Sequence, residues 1–92
     1  MPSIEVTAFV FDAHNEAKFA AHGISAFQVY QVLQNEHIIM RNRKERRATH
    51  LVLGLDDGGK CIAIPITPTE ARGVWRPVTA WPCKDSEKAL LD

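Results

Sequence analysis

The alternation of apolar and polar positions changes character near residue 37. Residues 5 to 11 read EVTAFVF, rich in β-branched and aromatic residues, with Val6, Ala8 and Val10 on one face and Thr7, Phe9 and Phe11 on the other. That pattern predicts a first strand. Asp12 then offers a helix N-cap, and Gly23 supplies the left-handed residue that commonly follows a helix, so residues 13 to 22 are expected to be helical. Ser25 and Gln28 stand at capping-box spacing and open a second helix, in which Ala26, Val29, Val32 and Leu33 recur on one face. A stripe of that kind needs a sheet to cover.

From His37 onward the segments are short and β-prone: HIIMRNR, HLVLGL, KCIAIPIT and WRPVTAW, separated by polar or glycine-bearing stretches. Asp56-Asp57-Gly58-Gly59 predicts a hairpin turn, because its glycines accept the positive φ that tight turns demand. Pro65 lacks an amide donor, so its strand is expected to end near it or to lie at an edge. Thr67-Pro68-Thr69 and Gly73 mark a longer connection before Trp75, and Asp85 to Leu91 suit a short terminal helix. Strand, two helices, about four strands and a helix make an α+β domain, with an antiparallel sheet of four to five strands covered by helices on one side. A chain of 92 residues fits a single domain, residues 1 to 92.

Composition adds little until charge is read by segment. The formal net charge is zero. Yet residues 1 to 40 set Lys18 alone against Glu5, Asp12, Glu16 and Glu36, while residues 41 to 50, RNRKERRATH, hold five of the eleven Lys and Arg residues. Any field that steers a polyanion has to come from that one block. The alternative is a solvated hairpin whose edge is kept from aggregating by its charges. Cys61 and Cys83 form no CxxC or Cys/His pattern, and no apolar leader or long apolar run is visible, so the sequence suggests a cytoplasmic protein with two half-buried thiols and no membrane partner.

Metal-free cleavage of RNA needs a base for the 2′-hydroxyl proton, cations for the charge that develops on phosphorus, and an acid for the leaving oxygen. Arginine suits the second role through its two-pronged contact with phosphate. On regular strands Arg41, Arg43 and Arg47 share one parity, and Arg46 and His50 the other. A hairpin that brings Arg41, Arg43, Arg46 and His50 to a common face, with Arg76 from a neighbouring strand, makes a phosphate cradle. His50 is the candidate general acid or base because an unperturbed imidazole titrates near ~6.5. It can equally serve as a cross-strand pairing residue. His22 suits the carbonyls at a helix end, and Glu45 suits neutralising its neighbours. His14 and His37 have no acidic or cysteine partner at ligand spacing, so no metal site is expected. Trp75 and Trp81, six positions apart, share a face on a single regular strand, where they either stack on bases or fill core.

Taken together, Asn15-Glu-Ala-Lys18, His22-Gly23-Ile24-Ser25, the block from Arg41 to Arg47 with its Glu45-Arg46 pair, Gly54, and Arg76-Pro-Val-Thr-Ala80 with Glu87 downstream resemble the BrnT family of type II toxins. The resemblance spans about residues 9 to 90. It implies a RelE-like α+β fold with a basic cleft on the sheet and metal-independent endoribonuclease activity without a cofactor. It places His50, Arg46 and Arg76 in the catalytic role and Arg41, Arg43, Lys44 and Arg47 on the RNA. It also implies a cognate antitoxin, itself DNA-binding, and a homo-oligomer or a toxin–antitoxin hetero-oligomer. Two features depart from the family pattern: Trp81 stands where the R-x-x-[ST]-A-R strand carries its last Arg, and Leu90 and Leu91 replace an aromatic residue of the terminal helix. These departures suit the alternative, a non-catalytic relative that binds RNA or a protein.

Overall fold

Asp12 begins the first helix through a reciprocal cap. Its carboxylate accepts the amide of Asn15 at 2.8 Å, and the Asn15 carboxamide oxygen accepts the amide of Asp12 at 3.0 Å. The computed structural model describes residues 4–42 and 47–91. After strand β1 (Ala8–Phe9), helix α1 runs over Ala13–Ala21. It closes where Gly23, at φ 74°, lets the amides of Gly23 and Ile24 turn back onto the carbonyls of Ala20 and Phe19. Ser25 and Gln28 then cap each other reciprocally, which starts helix α2 (Ala26–Gln34) without a linker.

The strands follow as β2 (His37–Arg41), β3 (His50–Leu55), β4 (Cys61–Pro68), β5 (Val74–Pro77) and β6 (Trp81–Pro82), and the chain continues through α3 (Asp85–Lys88) into a 3₁₀ turn at Ala89–Leu91. The sheet order is β1-β5-β4-β3-β2, with β6 also paired to β4. All pairings are antiparallel except β1 with β5, which is parallel. The expected all-antiparallel sheet of four to five strands is therefore corrected to a mixed sheet of six. The expected strand over 5 to 11 shrinks to two residues flanked by isolated hydrogen bonds, from Thr7 N to Gly73 O and from Val10 N to Trp75 O.

Both faces of the sheet are buried, which explains the near-continuous apolar runs of β3 and β4. On one face Val52, Ile62, Ile64 and Ile66 pack beneath Phe19, Val29 and Val32 of the two helices. Full burial of such a side chain contributes about 1.5–3 kcal/mol. On the other face Leu53, Cys61, Ala63 and Cys83 form a smaller cluster, against which Trp81 and Leu91 pack. The covering is thus two-sided, with the C-terminal segment lying opposite α1 and α2. Helix α2 is fastened to the β3–β4 turn by polar side chains. Gln28 donates to Asp56 at 3.0 Å, Asn35 donates to Asp57 at 2.9 Å, and Gln31 accepts the amide of Asp57 at 3.0 Å.

Two expectations fail for identifiable reasons. Pro65 lies inside β4, opposite Leu51, and not at a strand end or sheet edge. Its carbonyl accepts from Val78 N at 2.9 Å, so its ring nitrogen points to the same side, into the gap between β5 and β6 where no ladder partner is needed. Cys61 and Cys83 are not free thiols. The β4–β6 register pairs Ile62 with Pro82 and Ala63 with Trp81, which sets the two cysteines across from each other, and they are joined in a disulfide with Cα atoms 5.3 Å apart. The reduced-thiol premise of the cytoplasmic reading is overturned with them. Among the described residues no helix is long and apolar enough to cross a membrane.

Candidate nucleic-acid interface

The connected end of the β2–β3 hairpin is where the sequence concentrates its charge. Arg41 closes β2 and His50 opens β3, and the register sets them directly opposite each other. Beyond them Asn42 continues the pairing, its amide donating to Thr49 O at 3.0 Å and its carboxamide to Ala48 O at 3.3 Å. Ala48 is buried, so the chain returning toward β3 is anchored although its neighbour Arg47 is exposed. Arg43, Lys44 and Arg46, together with Glu45, lie outside the described residues.

His50 is held from three sides. Its Nδ1 lies 2.8 Å from Thr49 Oγ1, its ring meets Trp75 edge-on with centroids 5.2 Å apart, and Arg41 stands across the ladder. Burial pushes the imidazole pKa below its ordinary value, and the charge of Arg41 lowers it further. The ring is therefore neutral at pH 7. In the tautomer that donates Nδ1–H to Thr49, Nε2 is the basic nitrogen. Trp75 is fixed in turn by a 2.8 Å hydrogen bond from its indole N–H to the carbonyl of Glu5.

Arg76 does not join this group. It follows Trp75 on β5 and so projects from the opposite face, where its guanidinium is paired with the Asp12 carboxylate through both nitrogens, the longer contact measuring 3.2 Å. The expected cradle of Arg76 with His50 is corrected on this point. The tryptophans separate for a related reason. Trp75 pairs with Pro68 while Trp81 pairs with Ala63, so the register against β4 shifts by one residue between β5 and β6. A one-residue slip exchanges faces, and Trp81 emerges on the side away from His50.

That second face carries a groove of about 600 Å³ beside the hairpin end. Arg41, Asn42 and Arg47 line one side, while Trp81, Lys84 and Glu87 line the other. The indole N–H of Trp81 donates to Glu87 Oε1 at 3.2 Å, and the same oxygen accepts the amide of Lys84 at 2.7 Å, which fixes that carboxylate against its own segment. Arg47 and Lys84 bring two cations to the groove, while Arg41 borders it from β2 with its side chain on the His50 face by register. A depression of similar size lies between the start of β2, the β3–β4 turn and Leu91, but its lining includes Glu36, Asp56 and Asp57, the wrong sign for a polyanion. Sequence reading passed over Thr49 and Lys84. Pairing Cys61 with Cys83 would have brought Lys84 to the sheet, whereas nothing in the sequence distinguishes Thr49.

Among the described residues no three His, Cys, Asp or Glu side chains converge as metal ligands would. No protein-family model, curated protein or solved structure matches the chain.

Proposed function

We propose that the hairpin end binds RNA through its phosphates and that the chain is a BrnT-like, RelE-type toxin, a metal-independent endoribonuclease held in check by a cognate antitoxin. The observation that carries this reading is the cross-strand pair of Arg41 and His50, a cation opposite an imidazole whose pKa is lowered by burial and by that cation. In that role His50 Nε2 takes the 2′-hydroxyl proton, the 2′-oxygen attacks phosphorus, and the 5′-oxygen leaves with a proton from solvent. Arg41 holds the phosphoryl oxygens as charge builds on them, and Arg47 takes a neighbouring phosphate around the hairpin end. Arg43, Lys44 and Arg46 belong to the same basic block of the sequence.

A second reading, a non-catalytic relative that binds RNA or protein with this surface, is favoured by one observation: Arg76 is occupied by Asp12 on the far face. Incubating the purified chain with mixed RNA in EDTA separates the two, using His50→Ala and Arg41→Ala variants prepared in parallel. Cleavage by the parent that both variants lose supports the nuclease. Retarded but intact RNA supports a module that binds RNA, and neither cleavage nor retardation refutes both RNA readings and leaves only a protein-binding surface.

A further inference from the structure

The wall of the groove that carries Lys84 and Glu87 has little of its own to hold it. Strand β6 is two residues long, α3 is four and the following 3₁₀ turn three, and none of the residues in those two helical turns is buried. Turns this short are not stable alone in water. They are attached to the sheet by the β4–β6 pairing, the packing of Trp81 and Leu91, the Trp81–Glu87 hydrogen bond, and the disulfide, whose second cysteine immediately precedes Lys84. Beside that disulfide lies a separate cleft of about 430 Å³, lined by both cysteines together with Lys60, Lys88, Pro82 and Leu91. Both cysteines border this cleft while each keeps less than a tenth of its surface exposed, and the cleft's charged lining is positive.

We propose that the Cys61–Cys83 disulfide is a redox latch on the groove, opened by a small anionic thiol that docks between Lys60 and Lys88. The thiolate attacks one sulfur, breaking the S–S bond and forming a mixed disulfide while the other cysteine leaves as a thiolate and takes a proton. A second equivalent of the thiol then displaces the first, so that two thiols are oxidised to their own disulfide and the protein gains two cysteine thiols. With the bond cut, the segment from Trp81 to Leu91 frays from the sheet and the groove loses its second wall. The consequence for RNA rests on the functional reading above; the latch itself does not.

The test uses the full chain and reduced glutathione as the probe, with 2-mercaptoethanol as its uncharged counterpart. Hydrogen exchange is followed by mass spectrometry, and affinity for a short single-stranded RNA is measured before and after reduction. The expected result is loss of protection confined to residues 81–91, intact protection in β3 and β4, and RNA affinity weakened about tenfold, the size of one charge-assisted contact. A Lys60→Gln/Lys88→Gln variant is expected to slow reduction by glutathione several-fold and to leave reduction by 2-mercaptoethanol unchanged. Protection lost throughout the sheet makes the bond a general staple and overturns the latch, as does unchanged protection at 81–91. Equal slowing of both thiols overturns the docking of an anionic one. If the oxidised chain binds no RNA while residues 81–91 still open on reduction, the functional reading fails and the latch stands.

Discussion

Asn15 donates from Nδ2 to the carbonyl of Pro77 at 3.0 Å and to that of Val10 at 2.9 Å, so one fully buried side chain binds the start of α1 to the end of a strand 62 residues away. Its oxygen meanwhile accepts the amide of Asp12. Asn15→Ala strands two carbonyls and an amide. We expect it to cost about 2–4 kcal/mol in urea unfolding, because buried polar groups without partners pay their full desolvation.

His50 should show an NMR titration midpoint below the ordinary ~6.5 of histidine. Burial is the larger cause, so Arg41→Ala raises the midpoint only part of the way. Because the folded pKa lies below the unfolded one, protonation favours the unfolded chain. The stability this group contributes is present above the unfolded value and is lost as pH falls through the folded one. Cleavage that uses His50 as a base rises with pH through the same folded midpoint and is flat above it. A rate that falls over that window removes His50 from the role of base.

Arg76 and Arg47 should behave oppositely. Arg76→Ala lowers the melting temperature at neutral pH and leaves RNA affinity nearly unchanged, since its partner is Asp12. Arg47→Ala leaves stability unchanged, weakens RNA binding regardless of sequence, and reduces the dependence of log affinity on log salt by about 1. The Asp12 carboxyl is held below its usual range first by the Asn15 amide and then by Arg76. The stability it contributes is therefore present above the unfolded carboxyl pKa and disappears as pH falls through the folded one. The melting difference between parent and Arg76→Ala should vanish in strong acid.

Gly54 sits where α2 crosses the sheet most closely. A Cβ there would lie 2.8 Å from both Val32 Cγ1 and His37 Cβ, and 3.2 Å from the carbonyl of Glu36. Gly54→Ala should destabilise by about 1–3 kcal/mol, the cost of overpacking, as read from the urea midpoint.

What the sequence disclosed was local. Both helix caps and the turn at Asp56–Gly59 involve residues within a few positions of one another, and their chemistry is written in those residues. Strand β3 coincides with HLVLGL because a continuous apolar run bounded by turns has few other uses. Arg41 and His50 were expected on a common face of the hairpin, and the β2–β3 register sets them opposite each other, a pairing that strand parity alone did not give. The errors all concern partners distant in sequence. Arg76 found Asp12, 64 residues away, and Trp81 changed faces through a register shift that no periodicity announces. Cys61 met Cys83 only because β6 turns back onto β4. The candidate site was accordingly half legible: its hairpin side is contiguous in sequence, and its Lys84 side arrives through that pairing.

The parallel pairing of β1 with β5 governs the order in which the molecule assembles. During synthesis Thr7 and Asn15 leave the ribosome long before Gly73 and Pro77, the residues that receive their hydrogen bonds. The β3–β4 hairpin needs only a short turn between its strands and can zip as soon as both are free. Bringing Thr7 to Gly73 must close a far longer loop, at greater entropic cost and lower rate. Until that happens one side of β5 has no neighbour, and a nascent copy nearby presents the same unpaired edge. Docking of the N-terminal segment is thus both the late step of folding and the step that protects this chain from its own kind.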